Sequence, residues 1–417
     1  MSQPLAARRT GPTIRSAALL LLAVPGSATA FWGDTLVMEP QPFRQERVLQ
    51  GRTFQYNDES FIQRNSFTAR ASEFHAAPVP RDHIEGTGGS TRTRELFLDA
   101  SVKVTRQFDD KGTLDFQYRF RRSEDFDGRY TRNLIGIGVH PGGGFQARLM
   151  ADVRGDKSRI DLQPELGWQD DAGNAARFAV VLPEYLFNSK QDEGQYLSEP
   201  ITLFSAGEWH PSSDSTLRGY ISASPETELE IPSLERRFRD ESLQGGASIQ
   251  YRLSERSRLR WLAEGLATNR HESATTSNRS ATMERRAWRS RIALTLGGDP
   301  VSQWRLGGEF LSLSEKGALI GGAQQLSSRD EHLVFAGLTT PLSADWHFAP
   351  ELFVSHVDGE SIQGIDRRRT DHDGTYAKVS LPFTWSPGNG AQLTLNPTVE
   401  LHSAAFGGGN LRVRIPL

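Results

Sequence analysis

Arginines at alternate positions are the side chains of this sequence best placed to do chemistry. In GTLDFQYRFRRSEDF, residues 112–126, Arg119 and Arg121 share a phase with Asp115 and Gln117. Leu114, Phe116, Tyr118 and Phe120 occupy the other phase. Successive side chains of a strand point to opposite faces, so one face here is oily and the other charged. Arg148, Arg159, Arg258, Arg260, Arg289, Arg291 and Arg305 fall on the same polar phase in later segments. On that phase basic side chains outnumber acidic ones. A guanidinium is a rigid fork of donors that matches carboxylates and other anions. Gathered around an enclosed space, such groups favour anionic or hydroxyl-rich solutes. The competing reading is a set of cross-strand ion pairs with neighbours such as Glu165, Glu264, Glu309 and Glu351 that hold a wall together.

No catalytic or metal-binding constellation accompanies them. The sequence has 10 histidines and no cysteine, which excludes disulfides, thiolate metal sites and a cysteine nucleophile. The histidines form no HxH or HxxxH pair, so neither a metal nor another cofactor is expected. His356 and His402 are the two to inspect for a Ser/His or Asp/His pair. Asp366, Asp371, Asp373 and Gly374 in DRRRTDHDG lack the remaining carboxylates of a calcium loop. With a net charge of -3 and no phosphate loop, no nucleic-acid partner is expected.

The elements that must carry these residues are strands. ELFLDASVKV, FQARLMADV, RIDLQPELGW, LQGGASIQYRL, WRLGGEF, WHFAPELFV and AKVSLPFTW all alternate apolar with polar residues. Seventeen such segments run from 94 to 417. Most reach the roughly 9–11 residues that cross a bilayer at a tilt. Their connections alternate between short turns (PGGG, DDAGN, HPSSD, LSERS) and longer polar loops at 123–129, 187–197, 225–241, 269–283, 315–328 and 358–373. With both ends on the short-turn side, one more strand must precede residue 94. IQRNSFTARASEF, residues 62–74, is the candidate. The expectation is a transmembrane antiparallel up-and-down β-barrel of about 18 strands, with 16 as the alternative. The loop 225–241 carries Leu229, Ile231, Leu234 and Phe238. It reads either as an inward constriction or as a segment packed on its neighbours above the membrane.

The ends of the chain agree with this. Arg8, Arg9 and Arg15, the apolar run AALLLLAV and Ala28-Thr29-Ala30 read as a signal peptide over 1–30. Residues 31–61 do not alternate and read as a periplasmic tail, a plug or an extra strand; the barrel is assigned to 62–417. Trp168, Trp209, Trp261, Trp304, Trp346 and Trp385 all lie on the apolar phase beside short turns, as an aromatic girdle at one interface requires. In GGNLRVRIPL the residues Leu411, Val413, Ile415 and Leu417 alternate to the last position.

This ending resembles the C-terminal sorting strand of bacterial outer-membrane β-barrel proteins, with Leu417 where that class usually has Phe or Trp. From 94 to 417 the chain resembles that porin-like class as a whole. The resemblance implies a place in the outer membrane of a Gram-negative bacterium and contact with its lipid. It also implies insertion by the barrel-assembly machinery. The expected function is a non-enzymatic channel for a hydrophilic solute, anionic or saccharide, surface-polysaccharide export included. A surface-structural or adhesion barrel with a blocked lumen is the alternative, and an outer-membrane hydrolase the third reading.

Overall fold

In a computed structural model the chain forms one sheet whose first and last strands pair. The structure describes residues 82–417 apart from 93–95, 109–112, 126–127, 154–159, 187–194, 278, 298–301, 319–323, 364–365, 370–372 and 388–389. The signal peptide, the segment 31–61 and the candidate strand 62–74 lie outside the described residues.

The first strands are β1 (His83–Arg92), β2 (Leu96–Gln107), β3 (Leu114–Asp125), β4 (Gly128–Gly142), β5 (Phe145–Asp152), β6 (Ile160–Gln169) and β7 (Ala175–Leu186). They form an antiparallel meander. β8 (Gln195–Ser198) and β9 (Thr202–Ser212) share one position, both against β10 (Ser215–Ile231). β11 (Arg236–Ser254), β12 (Ser257–Ala274), β13 (Ser280–Leu296), β14 (Gln303–Ala318) and β15 (Gln324–Pro341) continue the meander. β16 (Trp346–Phe348) and β17 (Glu351–Gln363) share the next position against β15. β18 (Asp366–Arg369), β19 (Gly374–Ser380) and β20 (Phe383–Trp385) make up the one after it. β21 (Gln392–Glu400) and β22 (Ala405–Pro416) complete the sheet, and β22 pairs with β1 through Ile84↔Ile415 and Gly88↔Leu411. Counted once per interrupted strand, eighteen antiparallel positions close into a barrel. Closure leaves no edge of unpaired backbone groups, the condition for a sheet to stand in hydrocarbon.

The alternation read from the sequence sorts side chains as a membrane barrel does. In β14, Trp304 and Leu306 are exposed outside, while Arg305 and Glu309 are buried inside. Ile137, Leu149, Leu166, Val334, Leu352 and Leu411 are likewise exposed. Asp115, Gln163, Glu165, Glu331 and Thr398 are buried. A soluble fold shows the reverse. Among the turns, Gly142, Gly143 and Gly144 all have positive φ. A Cβ on Gly144 would sit 1.7 Å from the Gln169 carbonyl oxygen, so that tight turn requires glycine.

Two expectations need correction. The strand preceding β2 is His83–Arg92, which fills the position expected for 62–74. Among the described residues, the segments 123–129, 225–241, 269–283, 315–328 and 358–373 are largely strand, not loop. β10 and β11 continue to a 3-10 turn at Pro232–Leu234, with Glu235 left-handed at its end. β10 through β15 have 16 to 19 residues, against 8 in β5 and 10 in β6. Since roughly 9–11 residues cross a bilayer, this side of the wall projects beyond it. Leu229, Ile231 and Phe238 of the projecting hairpin pack on one another and on Tyr196.

At the other end the Leu417 N–H donates to the Asp82 carbonyl at 3.0 Å, beside the last pairs of β22 with β1. Deleting Leu417 is therefore expected to slow barrel closure. Pulse-chase appearance of the heat-modifiable folded form measures it.

Candidate functional site

The interior is where charge collects, and the register explains how. Asp115, Gln117 and Arg119 of β3 stand every second residue on the inward face. They meet Arg148 of β5, Gln163 and Glu165 of β6 and Arg177 of β7. Arg119 donates two hydrogen bonds to Glu165, at 3.0 and 3.1 Å. Arg177 donates to the same carboxylate at 2.7 Å and Gln163 at 2.6 Å, while Arg148 lies 3.5 Å away. One buried carboxylate is thus shared by three guanidinium groups. Asp115 accepts from Arg148 at 2.8 Å and contacts His140 Nε2 at 2.5 Å. It reaches both because Gly138 leaves room; a Cβ there would lie 2.6 Å from Asp115 Oδ2. Gly138→Ala is accordingly expected to displace Asp115 and break its contact with His140. Loss of the ordered His140 ring resonances by NMR in detergent would report it.

A second network crosses the taller half of the wall. Tyr220 Oη donates to Glu264 at 3.3 Å, and Arg289 Nε lies 3.3 Å from both Glu264 and Glu309. Arg291 reaches Glu309 at 3.5 Å, and Arg305 donates to Glu351 at 2.5 Å. The guanidinium groups of Arg291 and Arg305 lie 4.3 and 4.7 Å from the centre of the Phe335 ring, within cation–π range. Phe335 packs with Ala293, Leu311, Leu333 and Phe353, an apolar patch on the inward face. Farther round, Ser355 donates to Glu331 at 2.5 Å, Lys378 faces Glu400 at 3.6 Å, and Arg412 donates to Glu85 at 2.9 Å.

Of the arginines singled out in the sequence, Arg119, Arg148, Arg289, Arg291 and Arg305 are thus ion-paired across the wall. Arg260 hydrogen-bonds Gln250. Arg258 is exposed beside the turn that joins β11 to β12. Arg121 lies on β3 opposite Ser101 and Arg132, and Arg159 falls outside the described residues. Sequence reasoning missed Arg177 and the inward Phe335. It also missed that so many interior side chains are nearly sealed: Arg285, Gln163 and Ser355 are 0 % exposed, Arg305 and Glu331 1 %.

The tryptophans stand together at one end. Trp209, Trp261, Trp304, Trp346 and Trp385 are exposed beside short turns, with the rings of Trp346 and Trp385 6.4 Å apart; Trp168 is half-buried. Trp288, exposed near the opposite limit of the apolar belt, was not foreseen. His356 Nδ1 pairs with Thr375 Oγ1 at 3.0 Å, and His402 lies 3.9 Å from Glu400. Neither histidine contacts a serine among the described residues. Those residues also contain no group of three or more metal-ligating side chains.

No protein-family model matches this sequence, and no curated protein does. Solved structures that resemble it include the outer membrane protein OmpT of Vibrio cholerae. It has 10% identity and a TM-score of 0.37, covering 83% of this chain and 100% of that one. A bacterial polysaccharide outer membrane secretin has 9% identity and a TM-score of 0.39, covering 81% and 99%. OccK11 of Pseudomonas aeruginosa has 8% identity and a TM-score of 0.37, covering 81% and 96%. At such values the fold assignment rests on the strand register itself.

Proposed function

We propose that this chain is an outer-membrane channel that passes a hydrophilic solute, anionic or saccharide, with surface-polysaccharide export within that range. The observation that carries the reading is the closed eighteen-position barrel with charge inside and an oily belt outside. Such a wall is stable only where hydrocarbon surrounds it and a polar phase fills it. The six tryptophans then form the girdle at the periplasmic interface, the short-turn side, and the projecting half of the wall faces outward from the cell. Insertion depends on the barrel-assembly machinery, and no catalytic step is assigned.

Burial of the interior side chains supports a constricted route over a wide pore. The paired arginines hold the wall; solute preference comes from the guanidinium faces that their carboxylates leave uncovered. The same burial favours a second reading, a surface-structural barrel with a blocked lumen. Single-channel recording in a planar bilayer tests between them. A stable conductance with a reversal potential on the anion side supports the channel; a silent, correctly inserted protein supports the blocked barrel.

A further inference from the structure

The two halves of the interior wall differ in what they leave uncovered. On β1–β7 the acids are sealed and the cations are not. Among the described residues, the inward carboxylates of these strands are Glu85, Asp115, Asp152, Asp161 and Glu165, and all five are buried. The cations beside them, Arg119, Arg148 and Arg177, with Arg412 of the adjoining β22, are only half-buried. The Arg119 side chain is 14 % exposed where its partner Glu165 is 4 %, and Arg412 is 16 % exposed where Glu85 is 4 %. On the taller half Arg285, Arg291, Arg305 and Arg329 are buried along with their carboxylates. Lys103 of β2 belongs to the open group. It is half-buried, with Glu85 of β1 and Arg119 of β3 as its cross-strand partners. Arg412 donates to that Glu85 at 2.9 Å. Lys103 itself makes no hydrogen bond or ion pair among the described residues.

We propose that Lys103 and Arg119 together bind one oxyanion group, carboxylate or phosphate, of a solute in the lumen. The proposal deepens the channel reading and rests on it. Two like charges directly opposite each other destabilise a sheet, and an anion that bridges them removes the cost. Lys103 supplies an ammonium with three donors and no fixed partner. The Arg119 guanidinium is set before any solute arrives, by Gln117 at 2.6 Å and by Glu165 at 3.0 and 3.1 Å. The site is therefore preorganised on one side and adaptable on the other. Charge-assisted bonds from both groups favour an oxyanion over a neutral hydroxyl. With the carboxylates sealed behind them, the cations are what a solute meets on this side of the barrel.

The test is calorimetric titration of the protein in detergent micelles with inorganic phosphate, acetate and chloride as separate arms. The same preparation is recorded in planar bilayers. Saturable binding of phosphate or acetate is expected, about tenfold tighter than chloride, and the arm that binds identifies the group the solute carries. Lys103→Gln is expected to weaken that binding about tenfold and Lys103→Glu about a hundredfold, the loss and the reversal of a charged donor. Lys103→Arg is expected to keep it. Lys316→Gln, at an exposed position on the outer part of β14, is expected to bind as wild type. Unchanged binding by a folded Lys103→Glu barrel overturns the site, and so does chloride that binds as tightly as the oxyanions. If Lys103→Glu does not fold, equal binding by Lys103→Gln and Lys103→Arg overturns it in the same way. Conductance without saturable oxyanion binding refutes the site and leaves the channel. Oxyanion binding lost in Lys103→Gln, in a barrel that never conducts, refutes the channel and leaves the site.

Discussion

Glu165→Gln is expected to destabilise the barrel by about 3–5 kcal/mol, the usual cost of removing one partner of a buried charge cluster. The substitution keeps the shape of the side chain, and the amide still accepts a hydrogen bond. It removes the charge that Arg119, Arg177 and Arg148 share. Asp115 still faces Arg148 at 2.8 Å, so the loss falls mainly on the Arg119 and Arg177 contacts with Glu165. The measurement is the denaturant midpoint in detergent, followed by the loss of heat-modifiable mobility. A change below 1 kcal/mol would mean the cluster is wet and weakly coupled, as exposed ion pairs are. A second readout goes with it. The extra positive charge is expected to move the reversal potential farther toward the anion side in a conducting barrel.

Val334→Arg is the second large effect, from the opposite face. Val334 is 61 % exposed at an outward position of β15, between the β14 residue Gly308 and the β17 residue Val354. If lipid covers it, arginine there costs about 2–4 kcal/mol near the midplane, less if the side chain reaches an interface. If water covers it, the cost is near zero. Leu333→Arg, one residue away and buried inside, would be destabilising in either case and so serves only as a positive control. Refolding yield into phosphatidylcholine vesicles, set against Val334→Ala, measures the difference.

How much of this was legible in the sequence depended on what touches each face. Where one face meets the belt and the other the interior, as in β3 and β14, hydrophobicity alternates and the strand announces itself. Above the belt both faces meet polar surroundings. The outer parts of β10 through β15 therefore read as polar loop although their backbone pairing continues, with one register shift between Ser224 and Thr227. β1 was missed for a related reason. Its outward positions include Gly86 and Gly88, which carry no oily side chain, and its place is set by pairing with β2 and β22. Phe335 was hidden in the run LVFAGL, which is apolar on both faces and carries no phase. The inward arginines were legible as a set, since parity alone places them. Their partners were not. Arg119 and Glu165 are 46 residues apart in sequence and on strands that are not neighbours. Only the twist and stagger of the closed wall bring them together.

The most direct test of the account is a nitroxide scan of β15 in bilayers. The natural sequence has no cysteine, so each single-cysteine variant reports one position. Labels at Val334, Ala336 and Leu338 are predicted to be accessible to dissolved oxygen and shielded from a water-soluble nickel chelate. Labels at Leu333 and Gly337 are predicted to show low oxygen accessibility, giving a period of two along the strand. Uniform accessibility to the chelate at the even positions would mean that water, not hydrocarbon, covers the oily face, and the barrel would then have no membrane around it.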